Sequence, residues 1–210
     1  MIEAAVISSE TWIKIGLSLA TLAAGVMKLA PWIYKTLDDR ARKRNEASQI
    51  KALRSMARMF TLMSSLTTPK ARLADRVIVF AGHNGGSMPE AGKPYYVSAI
   101  NSELGYDTAF ENRPENRYQE VAVDRDYVNL LLDAYDEEYV HLLTDEMPTC
   151  LLRDYYLSEG VVESFVFFLR TTGHHFIYAS VANTDKVATE GEVREIQRVM
   201  NMVKTSINNT

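Results

Sequence analysis

The sequence predicts an α+β fold, an antiparallel sheet with flanking helices, preceded by a transmembrane helix and a connecting helix. Three observations carry this. Residues 11–34 form an apolar stretch whose only charges, Lys14 and Lys28, lie near its ends; residues 37–66 contain neither Pro nor Gly; and after Pro69 helical and strand patterns follow in runs, without regular alternation or internal repeat. The chain divides accordingly into an N-terminal transmembrane anchor (1–35), a basic connecting helix (36–68) and an α+β domain (69–210).

The anchor is read from TWIKIGLSLATLAAGVMKLAPWIY, residues 11–34. Its uninterrupted apolar core, 15–27, suits a buried helix of a soluble protein, but the flanks lengthen it. Trp12 and Trp32 are 20 residues apart, about 30 Å along a helix, which matches the hydrocarbon thickness. Lys14 and Lys28 snorkel to the interface from such positions. The first ten residues carry two acids and no base, so a cleaved signal peptide is disfavoured. The basic groups follow the stretch instead, with Arg40, Arg42, Lys43 and Arg44 in RARKR and its flank. By the positive-inside rule the C-terminal side is cytoplasmic, giving a single-pass inner-membrane protein. The cluster is either an exposed helix face or a contact with anionic membrane lipid.

Charge separates the regions. Residues 35–58 hold eight basic and three acidic side chains, whereas residues 59–210 hold 13 basic and 22 acidic. An acidic domain repels a phosphate backbone, so nucleic acid is excluded as a partner. The single cysteine, Cys150, rules out an internal disulfide and a thiolate zinc site. At 47% hydrophobic and 24% charged, with ten Gly and six Pro, the chain is neither disordered nor linker-dominated.

In the connecting helix, Ile50, Leu53, Met56, Phe60, Met63 and Leu66 recur at spacings of three and four. That stripe is a core-facing surface, a dimer seam, or both. Arg76 to Ala81 and Tyr95 to Ile100 then read as neighbouring antiparallel strands around the turn-rich GHNGG. Residues 104–123 are loop-like with a short strand at their end; Asp124 caps a helix expected to reach Thr144; and Met147-Pro148 stops it. Cys150 to Leu157 (CLLRDYYL) is expected as a strand. Val162 to Arg170 and His175 to Ala182 flank a short turn and form a hairpin. Thr189 and Glu192 make a capping box opening a last helix, with Val193, Ile196, Met200, Val203 and Ile207 on its apolar face.

The opening DRVIVFAGHNGG with its RVxxFxxHNGG turn, followed by YYVSAI, and the VESFVFFLRTTGHHFIYASV hairpin running into a helix resemble a GAF domain, a relative of PAS sensor domains, over residues 45–208. With its anchor and basic exit the chain also resembles small phage or bacterial membrane proteins that carry such a domain on the cytoplasmic side. The resemblance implies a six-stranded or similar sheet and terminal helices forming a dimer surface. It also implies a cavity over the sheet that in some members binds nucleotides, tetrapyrroles or other small molecules. The phytochrome bilin-attachment setting is absent around Cys150, and so is the NKFDE motif of cyclic-nucleotide binders.

Candidate ligand-binding residues are His83 and Asn84 in the glycine-rich turn, and Tyr96, Phe167 and Tyr178 among the sheet aromatics. The plainer alternatives are turn geometry for the first two and core packing for the rest. No catalytic set is assigned. AGHNGGS resembles a short motif of peptidyl-tRNA hydrolases, but the rest of that pattern is missing and GHNGGS is no P-loop. His174 and His175, adjacent on a strand, point to opposite faces, so no metal site is assigned. The cofactor is unknown. The leading expectation is a non-catalytic, membrane-anchored sensory or regulatory protein binding a small molecule or protein partner, with a homodimer through 45–66 and 189–208. The alternatives are a phage-encoded scaffold assembling through its helices, and an enzyme with an unrecognised site.

Overall fold

The computed structural model describes residues 35, 38, 40, 42–84, 93–105, 117–172 and 175–208. The anchor expectation, with Trp12, Lys14, Lys28 and Trp32, lies outside the described residues. Among the described residues no helix is long and apolar enough to cross a membrane. The chain forms two units, Met1–Lys51 and Ala52–Thr210. In the first, residues 42–51 are helical, and Arg40, Arg42, Lys43 and Arg44 are all exposed. Arg42 and Glu46 stand one turn apart at 3.9 Å, a solvated pair of small energetic weight.

The second unit opens with helix α1, residues 52–67. Strands β1 (Arg76–His83), β2 (Tyr96–Leu104) and β3 (Val121–Ala122) follow, then helix α2 (Arg125–Asp136) and strand β4 (Tyr139–Leu143). A 3-10 turn (Thr144–Glu146), helix α3 (Leu151–Ser158), strands β5 (Glu163–Thr171) and β6 (Phe176–Asn183), and helix α4 (Glu190–Asn208) complete it. The six strands form one sheet in the order β3-β2-β1-β6-β5-β4, with antiparallel neighbours throughout. The α+β class, the antiparallel sheet and the flanking helices expected from the sequence are therefore present.

Strand alternation sends side chains to two apolar layers. On one face Ile78, Phe80, Val97, Val166 and Tyr178 pack with Tyr127 and Leu131 of α2 and Leu152 and Tyr156 of α3. On the other, Val77, Val79, Phe165, Phe167 and Val181 pack with Met59, Met63 and Leu66 of α1 and Ile196, Met200 and Val203 of α4. Each fully buried side chain of this kind contributes about 1.5–3 kcal/mol of transfer free energy. Covering both faces explains why β1, β5 and β6 are almost continuously apolar. The terminal helices are tied by the Ser55 hydroxyl donating to the Ser206 carbonyl and by Ser206 Oγ donating to the Ser55 carbonyl at 3.3 Å. Arg170 Nη1 donates to the Ile207 carbonyl at 2.8 Å, satisfying an acceptor in the last turn of α4.

Two expectations are corrected. The helix begun at Asp124, whose Oδ1 accepts from Tyr127 N at 2.9 Å, ends at Asp136 and does not reach Thr144. Glu138 takes a left-handed φ of 71° and turns the chain, and residues 139–143 pair with β5 as an edge strand. CLLRDYYL is helix α3, not a strand. Leu152 and Tyr156 are its buried residues, one turn apart. Its first amide, Leu151 N, donates to Asp124 Oδ2 at 2.8 Å, so a single carboxylate serves the starts of both α2 and α3.

Candidate functional site

Arg76, the first residue of β1, projects with Ile78 and Phe80 toward α2 and α3, where a guanidinium enters an otherwise aromatic layer. Its charge is answered by Glu159, the C-cap of α3, with both side chains about 2% exposed. Arg117 Nη1 reaches the other oxygen of Glu159 at 3.1 Å from the rim, where it is 45% exposed. The Tyr118 ring lies 5.9 Å from the Arg76 guanidinium carbon, within cation–π range.

Around this pair sits a buried hydroxyl network. Tyr156 Oη donates to Ser164 Oγ at 2.9 Å and lies 3.2 Å from Ser180 Oγ, and the two serines are 3.0 Å apart. Tyr127 Oη and Tyr178 Oη meet at 2.6 Å. Burial pushes the phenols of Tyr178, Tyr127, Tyr156 and Tyr118 above their ordinary value, so they stay neutral and act as hydrogen-bonding groups. Phe80 stacks on Tyr178 at 5.1 Å and meets the Tyr118 ring edge-on at 5.7 Å. The side chains fill the layer: the space left among Arg76, Tyr118, Tyr127, Tyr156 and Tyr178 is about 10 Å³, hardly one water. A separate cleft of about 220 Å³ opens between α2 and β4, with Tyr127, Leu130, His141, Glu146, Met147 and Cys150 in its wall.

The candidates from sequence do not form one site. Tyr178 is buried in the α2/α3 layer. Phe167 lies on the opposite face, buried and stacked on Tyr139 at 5.3 Å. His83 and Tyr96 come together at the ends of β1 and β2, opposite each other in register with ring centroids 6.4 Å apart. His83 Nε2 is 3.0 Å from Ser98 Oγ. Asn84 follows, half-buried, and the glycines Gly85 and Gly86 lie outside the described residues.

Arg76, Tyr118, Tyr127, Tyr156 and Glu159 were not singled out in the sequence. One signal was present: Arg76 shares its strand face with Ile78 and Phe80, a core-facing parity that an arginine occupies only with a buried partner. Nothing local identifies that partner, because Glu159 is 83 residues away.

Neither a family model nor a curated relative matches the chain. Several solved structures are similar to it. The GAF domain of a two-component sensor histidine kinase from Bacillus halodurans is 12% identical, with 73% of this chain and 92% of that one covered and a TM-score of 0.45. The GAF domain/HD domain protein from Geobacter sulfurreducens is 12% identical over 71% and 90%, with a TM-score of 0.47. The photoproduct state of GAF3 from Slr1393 of Synechocystis sp. PCC6803 is 9% identical over 73% and 92%, with a TM-score of 0.49.

Proposed function

We propose that this chain is a membrane-anchored, non-catalytic sensory or regulatory protein whose GAF-like domain, on the cytoplasmic side of the inner membrane, binds a small molecule or a protein partner. One observation carries the reading: the domain's first and last helices share one sheet face, while the opposite face buries a charged and hydroxyl-rich cluster. Alternate residues of β1 serve both layers, Arg76 and Ile78 on one side and Val77 and Val79 on the other. A binding event that moves Glu159 at the end of α3 would thus be felt along β1 by α1 and α4. The sequence of residues 11–34 supports the anchor, and the basic residues behind it support contact with anionic lipid. A homodimer through 45–66 and 189–208 is supported by Leu53 and Met56, which are 60% and 46% exposed on the apolar stripe.

The second reading, a scaffold assembling through its helices, is favoured by the near-absence of space in the α2/α3 layer. Native mass spectrometry of the intact chain released from membranes separates the two. A bound small molecule, lost on Tyr178→Trp, supports the sensor. A ligand-free chain that assembles beyond a dimer supports the scaffold. Release of the chain by alkaline carbonate would remove the anchor from either reading.

A further inference from the structure

We propose that His83 and His175 form a divalent transition-metal site at the shared end of β1 and β6, independent of the ligand reading above. The two strands pair in antiparallel register as far as Gly82 opposite Phe176, so His83 and His175 stand opposite each other one residue further on. Residues opposed in this way project from the same face, with Cβ atoms about 4.5–5.5 Å apart. The two imidazole centroids are 6.3 Å apart, with the rings inclined at 64°. Two imidazoles sharing one ion at bond lengths of about 2.0–2.1 Å have ring centres roughly 5–6.5 Å apart, so the observed spacing needs little adjustment.

Each ring is also held at one nitrogen by a hydroxyl. His83 Nε2 lies 3.0 Å from Ser98 Oγ, and His175 Nδ1 lies 3.4 Å from Thr172 Oγ1. Both hydroxyl oxygens already accept a backbone amide, Ser98 from Glu120 N at 2.9 Å and Thr172 from His175 N at 3.2 Å, and each has a further lone pair. When the imidazole N–H groups donate there, His83 Nδ1 and His175 Nε2 carry the lone pairs that a metal requires. This is how ligating histidines are ordinarily oriented. Both residues are half-buried, which leaves a path for an ion. Among the described residues no group of three or more His, Cys, Asp or Glu is placed to hold a metal, so the pair supplies two protein ligands and water completes the shell. An all-imidazole protein contribution selects zinc, nickel or copper over magnesium or calcium.

The test uses the full-length chain, stripped with a chelator, titrated with Zn²⁺ by calorimetry and with Cu²⁺ by electron paramagnetic resonance. One equivalent binds, with a copper spectrum showing two nitrogen ligands. His83→Ala and His175→Ala each abolish that species, as does His175→Gln, which retains a hydrogen-bonding side chain. Ser98→Ala weakens binding roughly tenfold or more. His141→Ala, on the edge strand β4 and two strands away from β6, leaves it unchanged. Absence of stoichiometric binding to the wild type, survival of the two-nitrogen species in H83A/H175A, or its loss in H141A would overturn the proposal.

Discussion

Arg76 and Glu159 are paired inside the domain, each about 2% exposed, joining the start of β1 to the turn that ends α3. Neither charge has access to water, so each depends on the other and on its remaining hydrogen-bonding neighbours. Glu159→Gln leaves the Arg76 guanidinium facing a neutral amide and should cost about 3–5 kcal/mol. Arg76→Met should cost less, because Glu159 keeps Arg117 at 3.1 Å. The double variant R76M/E159Q should be markedly more stable than the sum of the single changes predicts, since no buried charge remains. Denaturant unfolding of the four proteins measures this, and additive effects would show that the pair is not a coupled unit.

Gly82 is fixed by a neighbour, Tyr95. A Cβ at position 82 would stand 2.7 Å from Tyr95 Cζ and closer still to its hydroxyl, too near for the phenol ring to remain where it is. Gly82→Ala should therefore cost about 1–3 kcal/mol through overpacking. In a Tyr95→Ala background the same change should cost little. Equal melting-temperature losses in both backgrounds would place the cost in the strand backbone and not in the ring.

Burial of phenols sets an alkaline limit. It pushes Tyr95 up to about 12 and carries Tyr118, Tyr127, Tyr156 and Tyr178 above the ordinary value of 10. With the folded values raised, the stabilisation is whole below pH 10 and is lost as pH climbs from 10 toward the folded values. Each such tyrosine costs about 1.4 kcal/mol per pH unit in that window. These phenols should ionise only together with loss of near-ultraviolet circular dichroism. Reversible titration of all 11 tyrosines near pH 10, with the dichroism intact, would contradict their placement.

Elements specified by local residues were legible in advance. The β5/β6 hairpin is built from alternating side chains around a short turn, and its division of Phe165 and Phe167 from Val166 matches the two packed layers. The caps at Asp124 and Thr189 were equally clear. Elements specified from a distance were not. CLLRDYYL carries strand-prone aromatics, and its start is capped by Asp124, 27 residues upstream. The spacing of Leu152 and Tyr156 was the available clue to a helix. Tyr139 and Leu142 continue the helical spacing of Val128, Leu131 and Tyr135, yet pairing with β5 draws them into β4. The site suffered most, because Arg76 with Glu159 and His83 with His175 are assembled by topology from residues far apart in the chain.

The start of α4 offers the most local test. Thr189 N donates to Glu192 Oε2 at 2.8 Å, and Glu192 N donates back to Thr189 Oγ1 at 3.4 Å, the reciprocal arrangement of a capping box. The Lys186 ammonium, 2.5 Å from Glu192 Oε1, together with the Thr189 amide and hydroxyl, holds the Glu192 carboxyl at about 2 instead of its ordinary 4.5. A depressed folded value means that this stabilisation is complete above pH 4.5 and is lost as pH falls from 4.5 through 2. The Glu192 side chain is 25% exposed and Thr189 beside it is exposed, so solvent screening limits the pair to the worth of an ordinary cap, and Thr189→Ala should cost about 1 kcal/mol. Acid affects other carboxylates too, so the informative quantity is the difference between wild type and Glu192→Gln. The gap in denaturant midpoint should be widest at neutral pH and should narrow between pH 4.5 and 2. Lys186→Met should shrink the gap at neutral pH and end the narrowing at a higher pH, because without the ammonium the folded chain protonates Glu192 sooner, while the onset near 4.5 is set by the unfolded chain. A gap independent of pH would mean that the carboxylate charge plays no part in starting α4.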